Sequence, residues 1–277
     1  MGKIDQKSCF IEVETGVHLH VIEAGNGRPV MLLHGWPLSN EVFKHQYKAL
    51  SEQNYPAIGV SLRGFGKSSK ADSEYSYEMH VNDIHNLINI LDIDNVVLLG
   101  FSFGSSVAAS YIAKYQPSRV TGLALLAVNV PLAVKLPDHA FGFELNDLNT
   151  IIAALPDNRK SLTDIYGPLS KLTENDLSLN EANWINGVMA EASSDALIKS
   201  IIALKNLDLR HELSKIQIPT GIFHAKDDLT IPMEIALEAH EQISNSKLYM
   251  YETGGHYLLL TRKDQFNRDL IHFIQHA

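Results

Sequence analysis

Short apolar runs bounded by turn residues alternate along the chain with longer segments of helical periodicity. Residues 30–33 and 96–99 are continuous apolar runs, which is typical of strands covered on both faces. Between them, the apolar residues of segment 75–91 recur at the spacing of one helical face. Similar runs predict strands at residues 10–13, 17–22, 30–33, 57–60, 96–99, 120–128, 218–224 and 247–251. Strands that alternate with helices predict an α/β fold with a mostly parallel, eight-stranded sheet and helices on both faces.

The alternation stops after residue 128 and returns near residue 211. In between, the pattern is mostly helical and contains no strong strand signal. Helices are predicted at residues 148–155, 184–191 and 196–204. A helical block inserted late in such a sheet predicts a cap. We therefore expect a core domain of residues 1–128 and 211–277, and a helical cap (lid) of residues 129–210.

The sequence Gly-Phe-Ser-Phe-Gly at residues 100–104 stands directly after one predicted strand and before a small-residue helix at residues 105–115. On such a turn the serine is strained, its hydroxyl is exposed, and the glycines let the backbones pass closely. The helix N-terminus favours developing negative charge at the same place. Ser102 is therefore the candidate nucleophile of a nucleophile elbow. The alternative is a glycine-rich turn with an incidental serine.

A serine nucleophile needs a base and an orienting acid, as in a catalytic triad. Of 13 histidines, His256 follows Gly254-Gly255 after the last predicted strand, so its loop reaches the same sheet edge as Ser102. Asp227 and Asp228 follow the strand before it. The chain order Ser, Asp, His is that of a nucleophile-elbow enzyme, but spacing does not choose between the two aspartates. A turn or N-cap role is the alternative for either one.

An oxyanion hole is predicted from the turn after the third strand, where His34-Gly35-Trp36-Pro37 stands. Its donors would be the main-chain N–H groups of Trp36 and Phe103, and losing one such donor typically costs about 3 to 4 kcal/mol. His34 itself is interpreted as a buried, hydrogen-bonded residue that shapes the turn.

Candidates for the substrate pocket are large apolar side chains near the predicted site and in the predicted cap. Each one in the cap is equally compatible with a role in the cap's own core. These candidates are Trp36, Phe103, Leu132, Phe141, Phe143 and Trp184.

Composition excludes several other functions. The formal net charge is −9 and the basic residues are scattered, which disfavours a nucleic-acid partner. Cys9 is the only cysteine, and metal, dinucleotide and EF-hand motifs are absent, so no cofactor and no metal are predicted. The first residues have no signal-peptide apolar segment, and polar residues interrupt the most apolar stretch. We therefore expect a soluble, cytoplasmic protein without a membrane partner. The sequence leaves its oligomeric state open.

The sequence resembles the cofactor-free bacterial haloperoxidases, perhydrolases and aryl esterases of the α/β-hydrolase superfamily. The resemblance lies in residues 34–39, 63–69, 100–104, 208–232 and 254–256, which span nearly the whole chain. It implies an α/β-hydrolase fold with a helical cap, and it selects Asp228, four residues before Pro232, as the catalytic acid. The sequence departs from the family where Phe103 replaces the usual Met and Ser105 the usual Gly.

These features predict a serine hydrolase that acts on a small carboxylic ester or related acyl substrate through an acyl-enzyme. A perhydrolase or haloperoxidase side activity is expected from the same intermediate. Two alternatives stay open. One is a receptor-like protein that retains the triad but only binds a ligand, and the other is a lyase or cofactor-independent oxygenase on the same scaffold. A dehalogenase or epoxide hydrolase with an Asp nucleophile is disfavoured because the elbow carries Ser102.

Overall fold

A computed structural model describes residues 6–70, 74–155 and 177–277. Its strands form one eight-stranded sheet in the order β1-β2-β4-β3-β5-β6-β7-β8. The strands are β1 (Gln6–Glu14), β2 (Val17–Ala24), β3 (Val30–Leu33), β4 (Ala57–Val60), β5 (Val96–Phe101), β6 (Val120–Leu126), β7 (Thr220–Ala225) and β8 (Ser246–Tyr251). Strand β2 is antiparallel to both of its neighbours, β1 and β4, and the pairs from β4 to β8 are all parallel. The predicted mostly parallel sheet is confirmed.

Helices pack on both faces of this sheet. Five of them belong to the sheet's own alternation: α1 (Lys44–Ser51), α2 (Tyr77–Leu91), α3 (Phe103–Tyr115), α7 (Met233–Gln242) and α9 (Lys263–His276). Residues of α2, α3 and α7 pack into one apolar cluster, and residues of α1 and α9 pack into the other. Neighbouring strand residues divide between the clusters, as Leu98 and Leu99 do, because successive side chains point to opposite faces. Fully burying each such leucine contributes roughly 1.5 to 3 kcal/mol.

Helix α3 begins at Phe103, two residues before the predicted start. The chain therefore turns from strand to helix at Ser102 alone, with no connecting loop. Two short helical elements were not predicted, the 3₁₀ turn Leu213–Lys215 and α8 (Leu258–Thr261), because each is too short to show a helical period.

The region predicted as a cap contains three described helices, α4 (Leu145–Ala154), α5 (Leu179–Ala190) and α6 (Ser194–Asn206). Its only strand-like pairings in the described part are two isolated bridges before α4. Residues 156–176 of the predicted cap lie outside the described residues. The division into core and cap stays a prediction.

Within residues 6–70, 74–155 and 177–277, no helix combines the length and the apolar character that crossing a membrane requires. The prediction that the chain has no signal peptide refers to its first residues, and residues 1–5 lie outside the described part of the chain.

Candidate active site

The turn between β5 and α3 holds Ser102 in a strained backbone conformation. Its φ is 50° and its ψ is −116°, in a region that residues other than glycine rarely adopt. The Ser102 amide still donates to the Leu126 carbonyl at 2.9 Å, so the residue ends the ladder with β6. A Cβ atom on Gly100 would collide with the Gly104 carbonyl, and one on Gly104 would collide with the Leu33 carbonyl. Both glycines are therefore required by close backbone approach, as the elbow hypothesis expects.

We expect Gly104→Ala to lower the free energy of unfolding by about 3 kcal/mol or more, because its nearest obstacles are backbone atoms that cannot rotate away. The matched control is Gly187→Ala in α5, where an added Cβ meets nothing within 4 Å. That change should be neutral or stabilise by about 0.5 to 1 kcal/mol. Urea unfolding of both variants measures the difference, and equal effects would contradict the close approach at Gly104.

His256 lies between the serine and an aspartate. The Ser102 hydroxyl donates to His256 Nε2 at 3.0 Å, and His256 Nδ1 donates to Asp228 Oδ2 at 2.9 Å. The loop that carries His256 contains Gly254 and Gly255, both with positive φ, and begins just after β8. The structure thus brings together the three side chains that the sequence singled out, in the arrangement that allows proton transfer from the serine.

Asp228 is held from both sides. Its Oδ1 accepts the amide N–H groups of Thr230 at 2.8 Å and Ile231 at 3.0 Å, which leaves Oδ2 for His256. Burial acts to raise the pKa of this carboxyl, but the charge of His256 and the hydrogen bonds to the carboxylate outweigh it and lower the pKa. Asp228 therefore stays ionised although only 5 % of its surface is exposed.

Asp227 has a different set of partners. Its carboxylate accepts the amide N–H groups of Gly254 at 3.2 Å and Gly255 at 2.8 Å. Asp227 thereby holds the backbone of the loop whose next residue is His256. The two aspartates that spacing left open thus take separate positions, one on the imidazole and one on the loop.

His34 is fully buried in the turn after β3. Its Nε2 accepts the Leu62 amide at 2.9 Å, so the proton is on Nδ1, which donates to the Gly35 carbonyl at 2.9 Å. Burial lowers the pKa of His34 to about 4, against the opposing effect of the Gly35 hydrogen bond. A neutral histidine with both nitrogens used in the turn agrees with its interpretation as a residue that shapes the turn.

Both predicted oxyanion residues, Trp36 and Phe103, line a cavity beside Ser102, and Phe103 also follows Ser102 directly in the chain. Phe103 is the first residue of α3, so its amide N–H has no acceptor within the helix. Its ring stacks on Tyr77 at a centroid distance of 4.7 Å and meets His80 edge-on at 5.6 Å. The Trp36 indole donates to the Leu197 carbonyl at 3.2 Å, which ties this turn to α6.

A cavity of about 40 Å³ lies beside the serine, with Ser102 and His256 in its wall. The polar lining residues apart from these two are Asn129, Ser200 and Thr230. Most of the wall is apolar and is formed by Trp36, Phe103, Phe143, Leu148, Ile201 and Leu204. A partly enclosed, mostly apolar space next to a nucleophile suits a small, weakly polar group.

Three of the pocket candidates from the predicted cap do not line this cavity. Leu132 is buried in an apolar cluster, Phe141 packs edge-on against His139, and Trp184 lies under Lys44 with the ammonium 3.6 Å from its ring centroid. In the structure these three side chains therefore have packing roles, which was the alternative to a place in the pocket. Phe143 is the one cap candidate that is in the cavity wall.

Several residues of the site were missed from the sequence. His224 is fully buried behind the aspartate, with its Nε2 donating to the Ile231 carbonyl and lying 3.8 Å from Asp228 Oδ2. Ser200 and Asn129 also line the cavity. The one signal for Ser200 was its place in the apolar stripe of α6, where every third or fourth residue is otherwise aliphatic.

The comparison with known families agrees with this geometry. The family described as the α/β hydrolase fold matches residues 28–263 of the chain. The chain belongs to the α/β-hydrolase fold family. It is an enzyme of the hydrolase class, and both the predicted fold class and the resemblance are confirmed.

This α/β hydrolase is similar to proteins of its own length. It is 34% identical to the AB hydrolase superfamily protein YisY of Bacillus subtilis, over 95% of the chain and 98% of that protein. Among solved structures, an esterase from Exiguobacterium antarcticum is 32% identical with a TM-score of 0.93, over 97% of this chain and 100% of that one. A bromoperoxidase from Bacillus anthracis is 30% identical with a TM-score of 0.92, at the same coverage.

Proposed function

We propose that this α/β hydrolase is a serine esterase that cleaves small carboxylic esters through an acyl-enzyme. The observation that carries the proposal is the unbroken hydrogen-bond chain from Ser102 through His256 to Asp228. Such a chain activates a hydroxyl that is otherwise protonated at neutral pH. The similarity to the Exiguobacterium esterase supports the same substrate class.

In the proposed reaction, Ser102 Oγ attacks the ester carbonyl while His256 Nε2 takes the hydroxyl proton. The imidazolium that forms is stabilised by the ionised Asp228. The amides of Trp36 and Phe103 are the proposed donors to the oxyanion. His256 then donates its proton to the leaving alcohol, and an attacking water, deprotonated by the same nitrogen, releases the acid.

Hydrogen peroxide can replace water in the second step. Its attack on the acyl-enzyme transfers the acyl group to a peroxide oxygen, gives a peracid and restores the Ser102 hydroxyl. A peracid oxidises halide and returns to the carboxylic acid, so halogenation needs no metal or organic cofactor. The similarity to the Bacillus anthracis bromoperoxidase supports this side activity.

We expect repeated turnover of p-nitrophenyl acetate, with an acetyl group on the peptide that contains Ser102 after rapid acid quenching. The amount of nitrophenolate released per enzyme molecule measures the turnover, and mass spectrometry of the quenched protein detects the acetyl group. Release of a single equivalent without turnover would instead indicate a ligand-binding protein. No release from any short aryl ester would refute the esterase proposal and leave the lyase or oxygenase alternative.

A further inference from the structure

The cavity beside Ser102 contains polar groups that the proposed mechanism does not use. Its volume of about 40 Å³ corresponds to roughly three water molecules, and most of its wall is apolar. Asn129 and Ser200 interrupt that wall from opposite parts of the chain, one after β6 and one on α6. Each therefore needs a physical explanation.

Ser200 is fully buried, and its hydroxyl has no hydrogen-bond partner among the described residues. It belongs to the same face of α6 as Leu197, Ile201 and Leu204. A buried hydroxyl without a partner costs about 1 to 3 kcal/mol, a cost that alanine would avoid in this helix. The hydroxyl is explained if a bound molecule supplies its partner.

Asn129 is 2 % exposed and follows β6. Its Oδ1 accepts the Ser106 hydroxyl at 2.5 Å and lies 3.0 Å from the Ser105 hydroxyl, whose single proton also faces the Ser102 carbonyl at 2.6 Å. These contacts orient the side-chain amide through Oδ1, and Nδ2 is the other polar atom of this side chain in the cavity wall. Asn129 therefore offers a fixed N–H donor in the cavity wall.

We propose that the cavity binds an acyl group that carries a neutral oxygen substituent, held by the Asn129 amide and the Ser200 hydroxyl. The proposal rests on the esterase function proposed above and specifies its substrate class as esters of hydroxy, alkoxy or oxo acids. We assign the cavity to the acyl side of the ester because His256 must face the leaving oxygen. The rest of the cavity is then occupied by the acyl chain.

The substituent is neutral because of what surrounds it. No lysine or arginine is found among the described residues that line the cavity. A carboxylate placed there would lose its hydration without gaining a paired charge, which is strongly unfavourable. An ether, hydroxyl or carbonyl oxygen needs one or two hydrogen bonds, and Asn129 and Ser200 supply that number.

Two esters of nearly equal shape test the proposal: p-nitrophenyl methoxyacetate and p-nitrophenyl butyrate, which differ by an oxygen in place of a methylene. The quantity measured is the ratio of their kcat/KM values, divided by the ratio of their hydroxide hydrolysis rates to remove intrinsic reactivity. We expect a wild-type ratio of about 10 or more in favour of the methoxyacetate. Ser200→Ala and Asn129→Leu should each lower it by roughly tenfold, because each removes a hydrogen bond made only to the oxygen.

The matched control is Ser110→Ala on α3. The Ser110 hydroxyl also has no partner among the described residues, but Ser110 is not in the cavity wall, so its removal should leave the ratio unchanged. If the ratio stays within about twofold of wild type in both cavity variants, the inference is overturned while the esterase proposal stands. If wild type hydrolyses neither ester, the esterase proposal fails first. A ratio that falls equally in Ser110→Ala also overturns the inference.

Discussion

Replacing Ser102 with alanine should lower kcat for aryl esters by roughly 10⁴- to 10⁶-fold and abolish labelling by a fluorophosphonate probe. The probe phosphonylates an activated serine hydroxyl, and the Ser102 hydroxyl is the one hydrogen-bonded to His256 Nε2 at 3.0 Å. Without it no acyl-enzyme forms, whereas the amide donors and the cavity remain. Residual hydrolysis is then limited to what these groups achieve with water.

The control for this experiment is Ser118→Ala, an exposed serine in the turn after α3. Its turnover and labelling should equal those of wild type. Thermal unfolding by circular dichroism establishes that Ser102→Ala keeps its fold, since the change deletes one oxygen and keeps Cβ. Full labelling of a folded Ser102→Ala variant would place the nucleophile elsewhere in the chain.

The second large effect is expected for Asp228→Asn, with kcat lowered by about 10⁴-fold. Asp228 Oδ1 accepts two backbone amides, so the asparagine would keep its oxygen there and turn its NH₂ group toward His256 Nδ1. Nδ1 then has to accept, the ring proton moves to Nε2, and Nε2 no longer takes the proton of Ser102. The change alters a tautomer and leaves the packing intact.

Asp227→Asn is the matched comparison, because the neighbouring aspartate contacts the loop amides of Gly254 and Gly255 and not the imidazole. It loses charge-assisted bonds to the loop backbone, so we expect kcat to fall by only about tenfold. Steady-state kinetics on p-nitrophenyl acetate measures both variants. If Asp227→Asn has the larger effect, the assignment of the two aspartates is reversed.

Local pattern was sufficient for the framework of this enzyme. Each strand that carries the site is a short apolar run bounded by turn residues, and its burial on both faces follows from that composition. The elbow at Ser102 was also predictable, because glycines two residues before and after the serine are the pattern of a strand-to-helix turn. The structure shows that Gly100 avoids the nearby Gly104 carbonyl, whereas Gly104 avoids the Leu33 carbonyl of the neighbouring strand. The loop of His256 was found for the same reason, since the carboxyl ends of parallel strands meet at one edge of the sheet.

Tertiary structure decided whatever depends on where separate loops point. Spacing left Asp227 and Asp228 equivalent, and only the packing of the β7 loop against the His256 loop gave them different partners. Trp184 had the size of a pocket residue, yet it packs under Lys44.

Ser200 lies in the cavity wall although its place in an apolar stripe predicts only burial. The physical reason is that periodicity reports which face of an element is buried, whereas the direction and partner of each side chain depend on how distant elements cross. The sequence by itself thus determined the sheet, the elbow and the edge at which the site lies. The three-dimensional packing decided which side chains meet there.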